Sequence, residues 1–355
     1  MADRVRAGIV GTGFMGAVHA RAIRRAGGTV ARVLGSSPES SRAGAERLDA
    51  EASVATVDEL MNADDIDVVH ICTPNATHAP LVRAAIDAGK SVVCEKPLAV
   101  DPAEAEDLVE RARAAGVTAT VPFVYRFYPT VRTARARVAG GQTGPVRLLH
   151  GSYLQDWLAE ENDDNWRVDA AAGGPSRAFA DIGVHWCDLV EFVTGHRIAR
   201  LAARTVVAVP ERNGRAVTTE DAAVVLFETD RGATGTLTVS QVSPGRKNRL
   251  WFSVDAAAES LSFDQENPES LWIGGRDVNQ VHLRGATTEF PGVLPAGHPQ
   301  GYQDCFDAFV ADTYAALAGG QPDGLPTFAD GLRAARITAA VLESSRTAQW
   351  VEVVS

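Results

Sequence analysis

Short apolar runs alternate with amphipathic stretches along the first third of the chain, and this pattern predicts strands followed by helices. The predicted strands are residues 5–10, 29–34, 67–72, 91–95 and 117–121, with helices after each of the first four. Strands that alternate with helices in this way form a parallel, doubly wound sheet. Ligands of such sheets bind outside the carboxyl ends of the strands.

The pattern changes after residue 125. A helix is predicted over residues 129–139, with Arg132, Arg135 and Arg137 on a solvated face, followed by a strand over 146–153. Runs with a period of two residues come next, at 201–209, 222–228, 233–242, 249–254, 260–263 and 271–273. Two helical patterns, 302–318 and 328–345, precede a last strand at 350–354. This alternation predicts a large, open, mainly antiparallel sheet with one face packed on a helix.

The turn after the first strand carries candidate chemistry. It reads Gly11-Thr12-Gly13-Phe14-Met15-Gly16 and opens a helix. Gly11 permits a tight turn, Gly13 lets the backbone approach a pyrophosphate, and Gly16 lets helix and strand pack closely. The alternative is a glycine-rich turn without a ligand. We expect an α/β chain with an NAD(P)-binding Rossmann domain over residues 1–124 and an α+β domain over residues 125–355.

The end of the second strand bears on the choice of cofactor. NAD enzymes usually carry an acidic residue there for the ribose 2′-hydroxyl. This chain has Gly35-Ser36-Ser37 instead, with Arg42 further on. Small hydroxyls and an arginine suit a 2′-phosphate, so the cofactor prediction is NAD(P) with a slight lean to NADP. Alternatively, Arg42 is a solvated helix residue and Glu39 turns inward.

Polar residues also follow the next two strands of the predicted sheet. They are Thr73, Pro74, Asn75, Glu95, Lys96 and Pro97. A lysine at such a position can hydrogen-bond a substrate hydroxyl and stabilise the alkoxide. It can also be a surface lysine beside a turn proline. A cis peptide bond before Pro97 is a further expectation.

Residues 173–188 form a Gly-Gly-Pro loop followed by a predicted helix. Asp181, His185 and Asp188 lie at i, i+4 and i+7, which places them on one helical face. A carboxylate beside an imidazole orients the ring and favours its protonation. The pattern is compatible with a general base, with a metal site or with a buried polar cluster. No further ligand of suitable type accompanies these three residues, so we expect no metal.

Composition narrows the range of partners. A net charge of −11 argues against nucleic acid and anionic membranes, because both require a basic surface. No apolar run approaches the about 18 residues of a membrane span. The first residues lack the charged-then-apolar pattern of a signal peptide, and the four cysteines include no C-x-x-C pair. We therefore expect a soluble, cytoplasmic protein.

Three motifs occur together in the order typical of one large family. The Gly11–Gly16 turn, Glu95-Lys96-Pro97 and the Asp181…His185 segment resemble the glucose–fructose oxidoreductase / inositol dehydrogenase / MocA (Gfo/Idh/MocA) family of NAD(P)-dependent sugar and cyclitol dehydrogenases. The resemblance covers nearly the whole chain. Residues 151–157 and 165–167 are most similar to the branch that contains levoglucosan and glucoside 3-dehydrogenases.

The resemblance implies roles for individual residues. Lys96, Asp181 and His185 would be catalytic, and the nicotinamide half of the cofactor groove would be lined by Thr73, Pro74, Asn75, His78 and Glu95. The implied activity is oxidation of a secondary hydroxyl, or reduction of the ketone. Aromatic faces beside polar groups suit a sugar; the substrate candidates are Lys96, Arg126, Tyr153, Gln155, Asp156, Trp157, Trp166, Arg167, Asp181 and His185. Core packing is the alternative for Trp157 and Trp166.

Two departures from the family pattern stand out. Val124 replaces an asparagine found in many members, and the second strand lacks its acidic residue. The alternatives to a dehydrogenase are an enzyme of the same fold with a tightly held, recycled cofactor and a non-catalytic dinucleotide and sugar sensor. The resemblance further implies a homo-oligomer, a dimer or tetramer, that associates through the second sheet.

Overall fold

The computed structural model describes residues 4–285 and 295–354. Within them the chain divides into two compact units. The first comprises residues 4–124 and Tyr302–Leu332, and the second comprises Tyr125–Gly301 and residues 333–354. The domain limits 1–124 and 125–355 remain a prediction from the sequence, in which residues 302–332 were assigned to the second domain.

A six-stranded parallel sheet forms the centre of the first unit, as predicted. Its strands are β1 (Arg6–Val10), β2 (Thr29–Leu34), β3 (Ala52–Ser53), β4 (Val68–Ile71), β5 (Ser91–Cys94) and β6 (Ala119–Thr120), in the order β3-β2-β1-β4-β5-β6. This is the order of the Rossmann fold, in which β2 and β3 lie on one side of β1 and β4, β5 and β6 lie on the other. The sequence patterns did not predict β3.

Five helices follow the strands of this sheet: α1 (Phe14–Arg25), α2 (Pro38–Leu48), α3 (Val57–Met61), α4 (His78–Asp87) and α5 (Pro102–Ala115). Proline occupies the first turn of α2 and α5, where its missing amide hydrogen costs nothing. A 3₁₀ turn, Asn75–Thr77, precedes α4. The late helix Tyr302–Leu317, labelled α9 below in chain order, packs against α1 and completes this unit.

The second unit contains a nine-stranded mixed sheet. Its strands are β7 (Val146–Leu154), β8 (Ile198–Val206), β11 (Ala222–Thr229), β12 (Thr234–Ser240), β13 (Arg249–Ala256), β14 (Ser260–Asp264), β15 (Ser270–Gly274), β16 (Asn279–Leu283) and β17 (Val351–Glu352). A separate hairpin is formed by β9 (Glu211–Arg212) and β10 (Arg215–Ala216). All neighbouring strands of the large sheet are antiparallel except β7 and β12, which confirms the predicted fold class.

Among the described residues of this unit, four more helices lie wholly or partly within it: α6 (Pro129–Ala139), α7 (Ala170–Gly173), α8 (Val184–Thr194) and α10 (Phe328–Thr347). Helix α8 packs on one face of the sheet against β7 and β13. Its Trp186 is fully buried and donates to the carbonyl of Trp251 at 2.8 Å. Gly151 makes this possible, because a Cβ there would lie 2.4 Å from the indole nitrogen.

The other face of the sheet exposes apolar side chains. Leu148, Val224 and Leu226 alternate with buried neighbours and are 41–52% exposed. The predicted solvated face of α6 is wrong for Arg132, which is buried with its guanidinium 4.6 Å from the ring of Phe127. In the part of the chain described, no helix is both long and apolar enough to cross a bilayer.

Candidate active site

The glycine-rich turn of the first unit has the geometry that its sequence predicts. Gly11 has φ +96°, and a Cβ there would lie 2.5 Å from the carbonyl oxygen of Cys72. A Cβ on Gly16 would lie 2.3 Å from the carbonyl oxygen of Gly11. Only glycine fits these two positions, because both contacts are with backbone atoms. A Cβ on Gly13, by contrast, would meet no protein atom within 4 Å, so the space beside it is open.

The start of α1 offers donors to a ligand. No side chain caps this helix at Gly13, and the first amides of a helix have no acceptor within it. Thr12 packs against Gly44 of α2, and Phe14 is 75% exposed. Met15 lies 4.0 Å from the hydroxyl of Tyr302. Free amides, the positive end of the helix dipole and open space at Gly13 fit the pyrophosphate of a dinucleotide.

The residues after β2 are committed to local contacts. Ser36 is exposed, and the hydroxyl of Ser37 caps α2 by accepting from the amide of Ser40 at 3.1 Å. Arg42 donates to Glu39 at 2.9 Å, with both side chains exposed. The predicted 2′-phosphate ligand Arg42 is therefore paired with Glu39, the residue that the sequence offers as an alternative ligand.

His78 links the turns that follow β4 and β5. Its buried ring lies 2.9 Å from the carbonyl oxygen of Thr73 and 2.7 Å from that of Pro97. Burial lowers the pKa of His78, although both carbonyl contacts oppose this shift. Between these residues, Thr77 donates to the carbonyl of Pro74 at 2.7 Å. The turn of Thr73, Pro74 and Asn75 is thus tied to the Lys96 turn.

Lys96 is half-buried directly after β5, and its peptide bond to Pro97 is cis, as predicted. The Glu95 side chain is 6% exposed and accepts from the Lys96 amide at 3.2 Å. Burial by itself would raise the pKa of the Glu95 carboxyl. The hydrogen bond from His19 and the charges of Lys96 and His78 outweigh it and lower the pKa, so Glu95 is a carboxylate at neutral pH.

The helix predicted within residues 173–188 is not α-helical over its first turns. Phe179–Gly183 is a π-helix, in which the Val184 amide donates to the carbonyl of Phe179 five residues earlier. Gly183 permits this turn, because a Cβ there would lie 2.6 Å from the ring of Phe179. The wider turn rotates Asp181 relative to α8, so the simple i, i+4, i+7 face does not hold. Such π-turns are frequent at functional sites.

His185 lies in the first turn of α8 and is 7% exposed. Its ring stands edge-on to Tyr125 at 5.0 Å between centroids and lies 6.4 Å from Tyr153. Asp181 accepts from Gln241 at 2.8 Å and lies 3.3 Å from the Nε of Arg167. The imidazole thus lies beside two tyrosine rings, and the Asp181 carboxylate is contacted by Gln241 and Arg167.

Asp188 has a structural partner. Arg126 binds it with two guanidinium nitrogens, and both side chains are less than a tenth exposed. The same guanidinium lies 5.0 Å from the ring of Phe192. Arg126, a predicted substrate ligand, is thus held by an internal ion pair.

A ring of hydrogen bonds joins Tyr125, Tyr153 and Asn248. The amide of Asn248 donates to Tyr125 at 3.2 Å, and Tyr153 donates to the Asn248 carbonyl oxygen at 2.7 Å. Because Tyr153 uses its hydrogen there, Tyr125 is the donor in their 2.5 Å contact. Gln155 donates to Asn248 and accepts from Trp157, both at 2.7 Å. Three predicted substrate residues therefore form one network.

The other predicted substrate residues lie at the edge of this network. Asp156 accepts from Lys247 at 2.6 Å, and this bond lowers the pKa of its carboxyl although desolvation opposes the shift. Trp166 stacks under the guanidinium of Arg167 at 4.4 Å. Arg167 reaches Asp181 from there. Across residues 4–285 and 295–354, no three His, Cys, Asp or Glu side chains are grouped as a metal site would require.

Sequence patterns missed three members of the second unit's cluster: Tyr125 as a hydrogen-bonding group, Gln241 and Asn248. Asn248 lies 95 residues from Tyr153 and 123 residues from Tyr125. Neither its neighbours nor its spacing gives a signal. Gln241 is buried directly after β12, where a polar residue after an alternating strand was the one available indication.

Comparison with known proteins agrees with both units. Residues 5–123 match the model of an oxidoreductase family with an NAD-binding Rossmann fold, and residues 131–260 match the GFO/IDH/MocA C-terminal domain. The levoglucosan dehydrogenase of Pseudarthrobacter phenanthrenivorans is 29% identical, over 99% of this chain and 98% of that protein.

Solved structures are similar over the same extent. An oxidoreductase domain protein from Kribbella flavida has 35% identity and a TM-score of 0.93, over 99% of this chain and all of that one. A levoglucosan dehydrogenase in complex with NADH and levoglucosan has 28% identity and a TM-score of 0.94, over 99% and 100% of the two chains.

Proposed function

The chain belongs to the Gfo/Idh/MocA family of oxidoreductases, and from this we propose that it is an NAD(P)-dependent dehydrogenase or reductase of a sugar, anhydrosugar or cyclitol. The observation that carries the proposal is the setting of His185. A buried imidazole lies beside two tyrosine rings whose hydroxyls are fixed by Asn248. Buried tyrosines with fixed hydroxyls hold the imidazole in one orientation, as a general base acting on a polyol requires.

The glycine-rich turn would hold the pyrophosphate of the cofactor through the first amides of α1. A bound nicotinamide dinucleotide would accept a hydride from the carbon that bears the hydroxyl. The turns of Thr73–Asn75 and of Lys96, joined through His78, would shape the site for the nicotinamide half. The coarse assignment, a dinucleotide-binding oxidoreductase, follows from the family. The preference for NADP is our prediction from Ser36, Ser37 and Arg42.

Lys96 would bind the reacting oxygen. Its ammonium group has three N–H donors and no acceptor, so it hydrogen-bonds an oxygen more strongly as negative charge develops there. This difference between ground state and transition state favours loss of the hydroxyl proton.

His185 would take that proton on a neutral ring nitrogen. Asp181, held by Gln241 and Arg167, would supply a fixed negative charge that favours the protonated ring. Its charge is shared with Arg167, so Asp181 acts on the position and charge of the site without receiving the proton itself.

The test is a substrate panel followed at the nicotinamide absorbance. Levoglucosan, other anhydrosugars, inositols and simple hexoses are each offered with NAD and with NADP. Turnover with one of these classes supports the proposal. Dinucleotide that copurifies and never accumulates in reduced form would instead indicate a recycled cofactor. Binding of a sugar without any turnover would indicate a sensor.

Variants then test the residue assignments. We expect His185→Ala and Lys96→Ala to lose about 10²–10⁴-fold in kcat while retaining dinucleotide binding. His150→Gln is the matched control, because His150 also pairs with a carboxylate, Asp255 at 3.2 Å, elsewhere in the second unit. Near-wild-type turnover in both alanine variants would show that the assignment is wrong.

A cytoplasmic location and a homo-oligomer are part of the proposal. The exposed apolar face at Leu148, Val224 and Leu226 supports association through the sheet. Light scattering of the purified protein measures the oligomer, and a monomer at micromolar concentration would contradict it.

A further inference from the structure

A buried chain of four polar side chains crosses the first unit and ends on Glu95, and the proposed reaction gives none of the four a role. The hydroxyl of Tyr314 lies 3.1 Å from Nε2 of His70, and Nδ1 of His70 lies 2.8 Å from Nδ1 of His19. Nε2 of His19 lies 3.0 Å from Oε1 of Glu95. The histidines are fully buried, and Tyr314 and Glu95 are each 6% exposed.

The protonation states give this chain a direction. Burial, reinforced by the neighbouring His19, holds the pKa of His70 far below its ordinary value, so that ring is neutral. Burial raises the pKa of the Tyr314 phenol, which therefore keeps its proton. Glu95 is a carboxylate and can only accept, so Nε2–H of His19 is the donor in their contact. His19 therefore donates to Glu95 in either tautomer of His70, and Glu95 is the final acceptor of the chain.

The carboxylate of Glu95 is held from two sides. Oε1 accepts from His19, and Oε2 accepts from the backbone amide of Lys96. A carboxylate fixed in this way restrains the peptide on which the Lys96 side chain stands. The link from Tyr314 to Lys96 therefore runs through four elements, α9, β4, α1 and the end of β5.

We propose that Tyr314, His70 and His19 are positioning residues that hold Glu95 against the Lys96 amide and thereby aim the Lys96 ammonium group. This inference rests on the proposed function, which gives Lys96 its role at the reacting oxygen. It adds three residues that touch neither substrate nor cofactor.

His19→Leu tests the chain most directly. Without the His19 donor, the carboxyl of Glu95 loses the largest contribution that lowers its pKa, while burial still raises it. The neighbouring thiols of Cys72 and Cys94 are kept neutral by burial. The pKa of the Glu95 carboxyl should therefore rise in this variant. The infrared spectrum should gain a protonated-carboxyl band that is absent in the wild type and in His19→Leu combined with Glu95→Gln.

Kinetics give a second readout. We expect His19→Leu to lower kcat about 10–100-fold with little change in the substrate KM, as misplacement of a reactive group does. The acidic limb of the pH profile should move to higher pH, since Glu95 protonates more readily. His19→Gln restores an N–H donor and should recover most of the loss.

Thr313→Val is the matched control. Thr313 is buried on the same helix as Tyr314, and its hydroxyl lies 3.3 Å from that of Thr120. Neither threonine belongs to the chain of four polar side chains. This variant should keep kcat within about twofold, whereas Tyr314→Phe should lose about threefold to tenfold.

The outcomes separate this proposal from the proposed function. If the wild type turns over no substrate, the proposed function fails, and the infrared band still tests the chain. A His19→Leu protein without the band and with wild-type kcat and pH profile overturns the proposal. If His19→Leu does not fold, Tyr314→Phe decides, because it removes a single oxygen atom; wild-type kinetics in that variant also overturn it.

Discussion

Two glycines of the same turn should respond in opposite ways to the same substitution. Gly13→Ala and Gly16→Ala each add one methyl group three residues apart. At Gly16 the added Cβ would lie 2.3 Å from the carbonyl oxygen of Gly11, and at Gly13 it would meet nothing within 4 Å. Gly16→Ala therefore tests the packing of the turn, and Gly13→Ala tests the approach of a ligand.

The magnitudes follow from these contacts. Real Cβ atoms essentially never approach within 3.0 Å, so Gly16→Ala must separate α1 from the turn by about 0.7 Å. Overpacking of this kind costs about 1–3 kcal/mol, and two backbone segments can yield little, so we take the upper end. Alanine's better helix propensity returns about 1 kcal/mol, which leaves a loss of about 2 kcal/mol.

Gly13→Ala has no such cost in the protein alone. Gly13 has φ −74°, which alanine adopts freely. Reduced freedom of the unfolded chain stabilises by about 0.4–1 kcal/mol, and alanine is a poorer N-cap by a similar amount. The free energy of unfolding should therefore change by less than about 1 kcal/mol. A pyrophosphate pushed from the amides loses a charged hydrogen bond of about 1.5–3 kcal/mol, or about 10–100-fold in Kd.

Unfolding by urea and titration with NAD and NADP measure both effects in each variant. The expected result is a stable Gly13→Ala protein that binds dinucleotide weakly, and a Gly16→Ala protein that is destabilised. Wild-type dinucleotide affinity in Gly13→Ala would refute the placement of the pyrophosphate at this turn. Equal destabilisation of the two variants would refute the packing argument.

Three further predictions concern charges. Arg42→Ala should raise the KM for NADP about tenfold and leave the KM for NAD within about twofold. Glu39→Gln, which releases Arg42, should not raise the KM for NADP. Equal effects of Arg42→Ala on both cofactors would contradict the lean to NADP. Asp188→Ala should cost about 3–5 kcal/mol in urea unfolding, because it leaves Arg126 buried without its carboxylate; a loss below about 1 kcal/mol would show that the pair is dispensable. Burial alone would raise the pKa of Asp221, but the amide and guanidinium donors around it lower it, so its stabilisation is present above about pH 4 and is lost as pH falls through the lowered folded-state pKa. Asp221→Asn should therefore be less stable at neutral pH and show a shallower loss in acid, and an unchanged acid limb would count against this.

Local patterns predicted most of the elements well. The limits of β2 and α6 agree with the sequence prediction residue for residue, because each is set by apolar periodicity and by a proline or turn residue at its ends. The short β3 and α3 were missed, since two and five residues carry too little periodicity. The start of the helix that contains His185 was predicted wrongly, because a π-turn depends on how Phe179 packs over Gly183.

Pairings between distant residues could not be predicted. Arg126 and Asp188 are 62 residues apart, and His70 and Tyr314 are 244 apart. Each buried polar group requires a hydrogen-bond partner, but its own sequence neighbours do not identify that partner. The pairing of donors and acceptors depends on how whole helices and strands pack.

By itself, the sequence determined the Rossmann sheet, the glycine-rich turn, the lysine after β5 and the histidine on α8, because each depends on neighbours a few residues away. The tertiary structure alone decided what surrounds those residues. In it, Asn248 hydrogen-bonds two tyrosines, and Asp188 forms an ion pair with Arg126. His19 and His70 link Tyr314 to Glu95. These contacts arise from close packing of segments far apart in the chain, and such packing has no local signature.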